Sequence, residues 1–311
     1  MDAAELYEIV DDRPVEGTPV LLHALTGFID GGEAGQGFAE HLLATLPHRV
    51  LARFDADLLH DYRAQRPRIV FAEDHFEQYS PPELTLYAVH DDAGAEFLLL
   101  TGPEPDTQWE RFTQDVLALV RRYGVRLTLG VHGIPMTVPH TRPLGYTTHA
   151  TRPELVTGTN PWHGELSLPA GASTLLELRL GEAGHDAMGF AVHVPHYLAE
   201  NRYPEAVVTL LQAVSRVTGL LLPAGNLEEE ASYVRSLVES QVASNDVVRR
   251  VVHELEKQYD AETGDGRPRE LPELSAALPS ADDIAAEAER FLADLDDDTG
   301  DEDDDGRSGS E

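Results

Sequence analysis

The sequence predicts an α/β protein: three layers, α/β/α, around a mixed and mostly parallel sheet, with a helical appendage at the C-terminal end. Three observations lead there. Short apolar runs of strand length alternate with longer runs at helical spacing. The first such pair is joined by a glycine-rich turn, Gly27-Phe28-Ile29-Asp30-Gly31-Gly32. Two of the apolar runs end in Gly/Pro/His-rich segments, where an open sheet places its loops.

Taken in order, Pro19 to Leu25 reads as a buried strand. The helix that begins near Glu33 sets Phe38, Leu42, Leu43 and Leu46 on one face, and Pro47 ends it. Val50 to Phe54 and Arg68 to Phe71 are strand candidates. Leu84 to His90 and Glu96 to Thr101 read as a hairpin turning at Asp91-Asp92-Ala93-Gly94. Thr107 to Tyr123 is a helix with Phe112, Val116, Leu119 and Val120 inward, stopped by Gly124. Val125 to Val131 is the next strand. Ser173 to Leu180 alternates, with Leu176, Leu178 and Leu180 on one side, and is expected to be a strand. Ala187 to Val194 is another strand. Pro204 to Gly219 is a helix, with its cap near Asn201 or Tyr203 and its buried face formed by Val207, Leu210, Leu211, Val214 and Val217.

Residues 1–225 thus form the α/β domain, and residues 226–295 the helical appendage. Asn226 is placed to cap a helix whose first turn is Glu228-Glu229-Glu230. Tyr233, Val234, Leu237, Val238 and Val242 form its apolar stripe. After Asn245 and Asp246 a second helix shows Val248, Val251, Val252, Leu255 and Tyr259. A Gly/Pro break over 264–268 precedes a last helix, Ala281 to Leu295. Residues 296–311 lack apolar side chains and are expected to be a disordered acidic tail.

Composition narrows the functional classes. The chain has 311 residues and a net charge of −33. The stretch from Asp282 to Glu311 carries 14 acids against two arginines, or −12, which leaves −21 for the rest. An acidic surface repels phosphate backbones, so nucleic acid is not an expected partner. There is no cysteine, hence no disulfide, zinc–thiolate site or cysteine nucleophile. Lys257 is the sole lysine, which removes P-loop and Schiff-base chemistry from the α/β domain. The acidic start, Met1-Asp2-Ala3-Ala4-Glu5, does not resemble a signal peptide, and no apolar run reaches membrane-spanning length. The expected setting is the cytoplasm, away from membranes.

The segment Val131 to Pro143 holds the chemistry most worth testing. With Pro135, Pro139 and Pro143 it should be a rigid extended loop rather than a continuation of the strand. His132 and His140 there, and His193 and His196 after the later strand, can meet at one sheet edge and serve as acid, base or ligand. Neither loop contains a carboxylate, so a conventional metal site and a resident cofactor are not expected. Arg142 is suited to a carboxylate across a subunit interface or to an anionic ligand. The turn at Asp30-Gly31 offers backbone amides to an anion, although Asp30 and Glu33 oppose one. Alternatively its glycines serve only a tight turn and close packing. Asn160-Pro161-Trp162-His163-Gly164 reads as a surface turn, and no nucleophile elbow is present.

Together the Gly27–Gly35 turn, the run His-Gly-Ile-Pro-Met-x-x-Pro-His-Thr-Arg-Pro over 132–143, and His193-Val194-Pro195-His196-Tyr197-Leu198 resemble the proteasome assembly chaperone 2 (PAC2) family in its actinobacterial branch. The resemblance covers roughly residues 5–225, and the appendage and acidic tail are also typical of that branch. It implies a fold like that of nucleoside phosphorylases and peptidyl-tRNA hydrolases. It also implies action by binding rather than by catalysis, with proteasome subunits as candidate partners. The family supplies no agreed catalytic residues. Two expectations follow: a non-enzymatic cytoplasmic assembly protein, homo-oligomeric through its apolar helix faces, or a small-ligand (nucleoside-like) binding protein or enzyme with a site at the loops after the strands, using Asp30, Gly31, His132, His140, Arg142, His193 and His196.

Overall fold

A computed structural model describes residues 6–156 and 165–264. Its elements are β1 (Tyr7–Ile9), β2 (Val20–Thr26), α1 (Ala34–Thr45), β3 (His48–Phe54), α2 (Ala56–Leu59), β4 (Arg68–Ala72), β5 (His75–Ser80), β6 (Thr85–His90), β7 (Glu96–Pro103) and α3 (Trp109–Arg122). There follow β8 (Leu127–Met136), β9 (Tyr146–Ala150), α4 (Ala172–Glu182), β10 (Ala187–Pro195), α5 (Pro204–Thr218), α6 (Leu227–Ser244) and α7 (Asp246–Gly264). Short 3₁₀ turns occupy Gly31–Glu33, Pro153–Leu155 and His196–Leu198.

The main sheet has eight strands in the order β1-β3-β6-β7-β2-β8-β10-β9. Its four central strands, β7, β2, β8 and β10, run parallel. The flanking pairs are antiparallel. β4 and β5 form a separate two-stranded arm.

Each face of the sheet has its own core, which is what makes three layers. One face packs Leu22, Leu129 and Phe190 against Phe38 and Leu42 of α1 and against Val207 and Leu210 of α5. The other packs Leu21, Leu98 and Leu100 against Phe112 and Val116 of α3 and against Leu176 and Leu180 of α4. Burying each such side chain contributes about 2 kcal/mol.

Two elements differ from the sequence reading. Ser173 to Leu180 is not a strand but most of helix α4. Its alternation of leucine with charge is real, yet Leu176 and Leu180 are buried while Leu178 is 55% exposed. The i, i+4 pair finds the core, and the intervening leucine does not need it. In addition, the segment after Val131 does not leave the sheet at once: β8 runs on to Met136 and pairs with β10 as far as Pro195. Pro135 is tolerated there for a specific reason. The pairing of β8 with β2 ends at Gly130, so the outer side of β8 is free of a strand beyond that point. The Gly133 N–H points to that side, where it donates to Asp30 Oδ1. Pro135, two residues on, directs its missing N–H the same way and breaks no ladder.

The first part of the appendage is anchored: Leu227 and Ala231 are buried, and Val234 packs against the core of the α1/α5 face. Asn226 holds the N-cap position of α6 but makes no side-chain capping hydrogen bond. The stripe beyond it is largely open, with Tyr233 and Leu237 exposed. The Asn160–Gly164 turn, the Ala281–Leu295 helix and the acidic tail lie outside the described residues.

Candidate functional site

Six of the seven candidate residues fall into three groups rather than one constellation, and the seventh, His196, stands apart. Asp30 and Gly31 form the first. Asp30 Oδ1 accepts from the N–H of Gly35 (2.8 Å) and of Gly133 (2.9 Å), and Oδ2 accepts from Gln36 N–H (2.9 Å). Burial pushes its pKa up, and these amide donors pull it back. The amides at the start of α1 therefore serve the chain's own carboxylate. Asp30 at once caps α1 and ties it to the free side of β8. The close approach needs glycine: a Cβ on Gly133 would overlap the Gly31 carbonyl, and one on Gly31 would lie 3.2 Å from the Pro135 nitrogen. Gly32 extends the seam, donating to Ala199 O (2.7 Å) and accepting from Tyr203 N–H (2.9 Å).

The second group is polar and lies on the α3/α4 face of the sheet. His132 and His193 point to this face from β8 and β10, joined by His23 on β2 and His149 on β9, neither singled out from the sequence. The register explains the packing. His23 pairs with Gly130, Gly130 with Gly189, and Gly189 with His149. Each glycine leaves room for the neighbouring ring, since a Cβ on Gly130 would strike His23 and one on Gly189 would strike His149. His132 and His149 have ring centroids 6.4 Å apart. His149 Nδ1 reaches Glu177 of α4 at 2.8 Å, and His193 Nε2 is hydrogen-bonded to Thr147 Oγ1 at 2.8 Å. Burial, then the neighbouring His132 and His149, hold His23 at a pKa of about 4, against the pull of Glu177. Burial and His149 place His132 at about 4 as well. Both rings are neutral at pH 7, and His23 Nδ1 has no hydrogen-bond partner among the described residues. Among the described residues no set of three or more His, Asp or Glu side chains is arranged to hold a metal ion.

His140 and Arg142 form the third group. The His140 N–H donates to the Tyr197 hydroxyl (2.9 Å), which is also hydrogen-bonded to His140 Nδ1 (2.8 Å). The other ring nitrogen, Nε2, is buried and unpartnered among the described residues. Arg142 makes a two-pronged contact with Asp260 on α7, at 2.8 and 2.7 Å, and lies 3.4 Å from Glu256. Thr141 donates to Glu256 (2.6 Å), and the Tyr259 hydroxyl to Pro143 O (2.9 Å). The carboxylate partners of Arg142 thus come from its own chain. A groove of about 670 Å³ opens beside this clamp, between His140 and the α6–α7 turn. His196 stands apart, exposed, with its ring edge-on to Tyr197.

The sequence signal for the missed members is present but quiet. Gly130 and Gly189 lie in the middle of apolar strands, and a mid-strand glycine marks the close approach of something large. Reading α4 as a strand hides Glu177.

The fold has clear relatives. The structure of a Mycobacterium tuberculosis protein of unknown function is 43% identical, covers 85% of this chain and 93% of its own, and superposes with a TM-score of 0.80. A Corynebacterium glutamicum protein of unknown function is 36% identical over 84% and 99% of the two chains, with a TM-score of 0.81. A Mycobacterium tuberculosis proteasome-assembly chaperone homologue is 22% identical over 75% and 99%, with a TM-score of 0.69, and shares the fold. No curated protein matches the sequence. The PAC2 family model matches residues 24–242, which takes in Asp30 and all four loop histidines. On that match the chain belongs to the PAC2 family.

Proposed function

We propose that this protein is a non-enzymatic assembly factor of the cytoplasm that acts by binding proteasome subunits, itself as a homo-oligomer. Family membership and the related proteasome-assembly chaperone homologue support the class of partner. The observation that carries the reading is the apolar surface on the parts that leave the sheet. Phe71 (61%) and Phe76 (68%) are exposed on the arm, and Tyr233 (66%) and Val247 (60%) on α6 and α7. Exposed clusters of this kind mark protein contact surfaces. Among the described residues no helix is long and apolar enough to cross a membrane. The test is affinity purification of the tagged chain, with proteasome assembly followed in cells lacking it. Subunits that co-purify with the wild type and not with a Phe71→Ser/Phe76→Ser variant support the proposal. No co-purification and unchanged assembly kinetics sink it.

One observation favours a second reading. His23, His132 and His149 form a part-buried polar cluster with an unsatisfied nitrogen on His23, and His193 lies on the same face, a feature that assembly alone does not require. A small, nucleoside-like ligand there should raise the melting temperature of the wild type and not of His132→Ala. A nucleoside panel without such a shift removes this reading.

A further inference from the structure

The base of the β4–β5 arm holds a cleft of about 280 Å³, away from all seven candidate residues. Arg66 and Arg68 line it from the outgoing leg, Ser80 from the returning leg, with prolines 67, 81 and 82 around them and His60 in its wall. The chain has 56 acids against 23 bases, yet among the described residues no carboxylate lines this cleft. Neither guanidinium is engaged by a carboxylate among the described residues. The His60 side chain is only 6% exposed. Its Nδ1 faces Asp106 at 3.8 Å, and its Nε2 is buried without a partner among the described residues. Such a nitrogen is costly to leave unsatisfied. Asp106 is fixed in turn by accepting from Asp61 N–H at 2.7 Å.

Two guanidiniums without a carboxylate, a hydroxyl and an unsatisfied imidazole nitrogen are complementary to one chemistry. We propose that this cleft binds an oxyanion, the phosphate or carboxylate head of a small molecule, with Arg66 and Arg68 supplying charge and His60, in its Nε2–H tautomer, a hydrogen bond. Guanidinium forks match the planar or tetrahedral oxygens of such groups. The prolines restrict the backbone of both legs, so little ordering is needed on binding. Because both legs and His60 contact the same ion, occupancy ties the arm to the sheet body.

The test is titration of the full chain with inorganic phosphate and, separately, acetate, read by the His60 ring signals in NMR and by amide exchange of the arm. The expected result is a saturable shift of His60 with slower exchange over residues 68–80. Affinity should fall about tenfold in Arg66→Ala and in Arg68→Ala, as for one lost charge-assisted contact, and vanish in the double variant. Arg216→Ala, on α5, should bind as the wild type does. Preference for phosphate assigns the site to phosphoryl ligands, and preference for acetate to carboxylates. No saturable shift with either ion, or a shift that survives loss of both arginines, overturns the proposal.

Discussion

The two halves of the Val131–Pro143 segment look alike in sequence and do opposite work. The first half, to Met136, is the end of a central strand, with His132 beside His149 and within the electrostatic reach of Glu177 on α4. The second half leaves the sheet and uses Thr141, Arg142 and Pro143 to hold α7. Each half has one histidine, one in the sheet cluster and one beside the helices. The difference teaches that proline content does not set the boundary. The limit lies at Met136, where β8 stops pairing with β10; its pairing with β2 has already ended at Gly130, and Asp30 fills that place with a side chain instead of a strand.

The comparison is tested hardest at Asp30. Asp30→Ala removes the acceptor for three backbone amides, two of them on buried glycines. We expect a loss of about 4 kcal/mol in urea unfolding, since each stranded buried donor costs about 1–3 kcal/mol. A loss below about 1 kcal/mol would mean that β8 holds its extension without Asp30.

Acid should separate the halves next. His23 and His132 stay neutral in the folded chain down to about pH 4, whereas in the unfolded chain they take up protons near pH 6.5. Their contribution is complete above about pH 6.5 and is lost as pH falls toward 4. Between about pH 6.5 and pH 5 it should drop by about 1.5 kcal/mol per ring. Urea midpoints of wild type and His132→Gln at the two pH values check this, and equal pH dependence in both would refute it.

The smallest effect is expected in the second half. Arg142→Ala should leave the global midpoint almost unchanged, because the pair with Asp260 is at the surface. It should speed amide exchange in α7 while leaving β8 as it was. Exchange that also quickens in β8 would join the two halves into one unit.

Much of the fold is legible because burial writes a period into the chain. Phe38 and Leu42 in the first helix, Phe112 and Val116 in the third, and Val207, Leu210 and Leu211 within Pro204 to Gly219 all face a core as read. Where the period is ambiguous the reading fails: Leu176, Leu178 and Leu180 satisfy a two-residue repeat while only the first and last are buried. The candidate site is less legible. Asp30 stands out as a polar residue in a glycine turn, but its partners lie on α1 and, far along the chain, at Gly133. His23 and His149 have no local peculiarity, and they meet only because Gly130 and Gly189 fall in register between them.

By itself the sequence determined the α/β class, the central strands, the helix faces and the likeness to the PAC2 family, since these depend on side chains close together in the chain. Only the tertiary structure decided that Asp30 serves as a staple, that Arg142 is paired with its own α7, and that four histidines share one face with Glu177. Those outcomes depend on strand order and register, which bring distant residues within hydrogen-bonding distance and leave no mark in the local pattern.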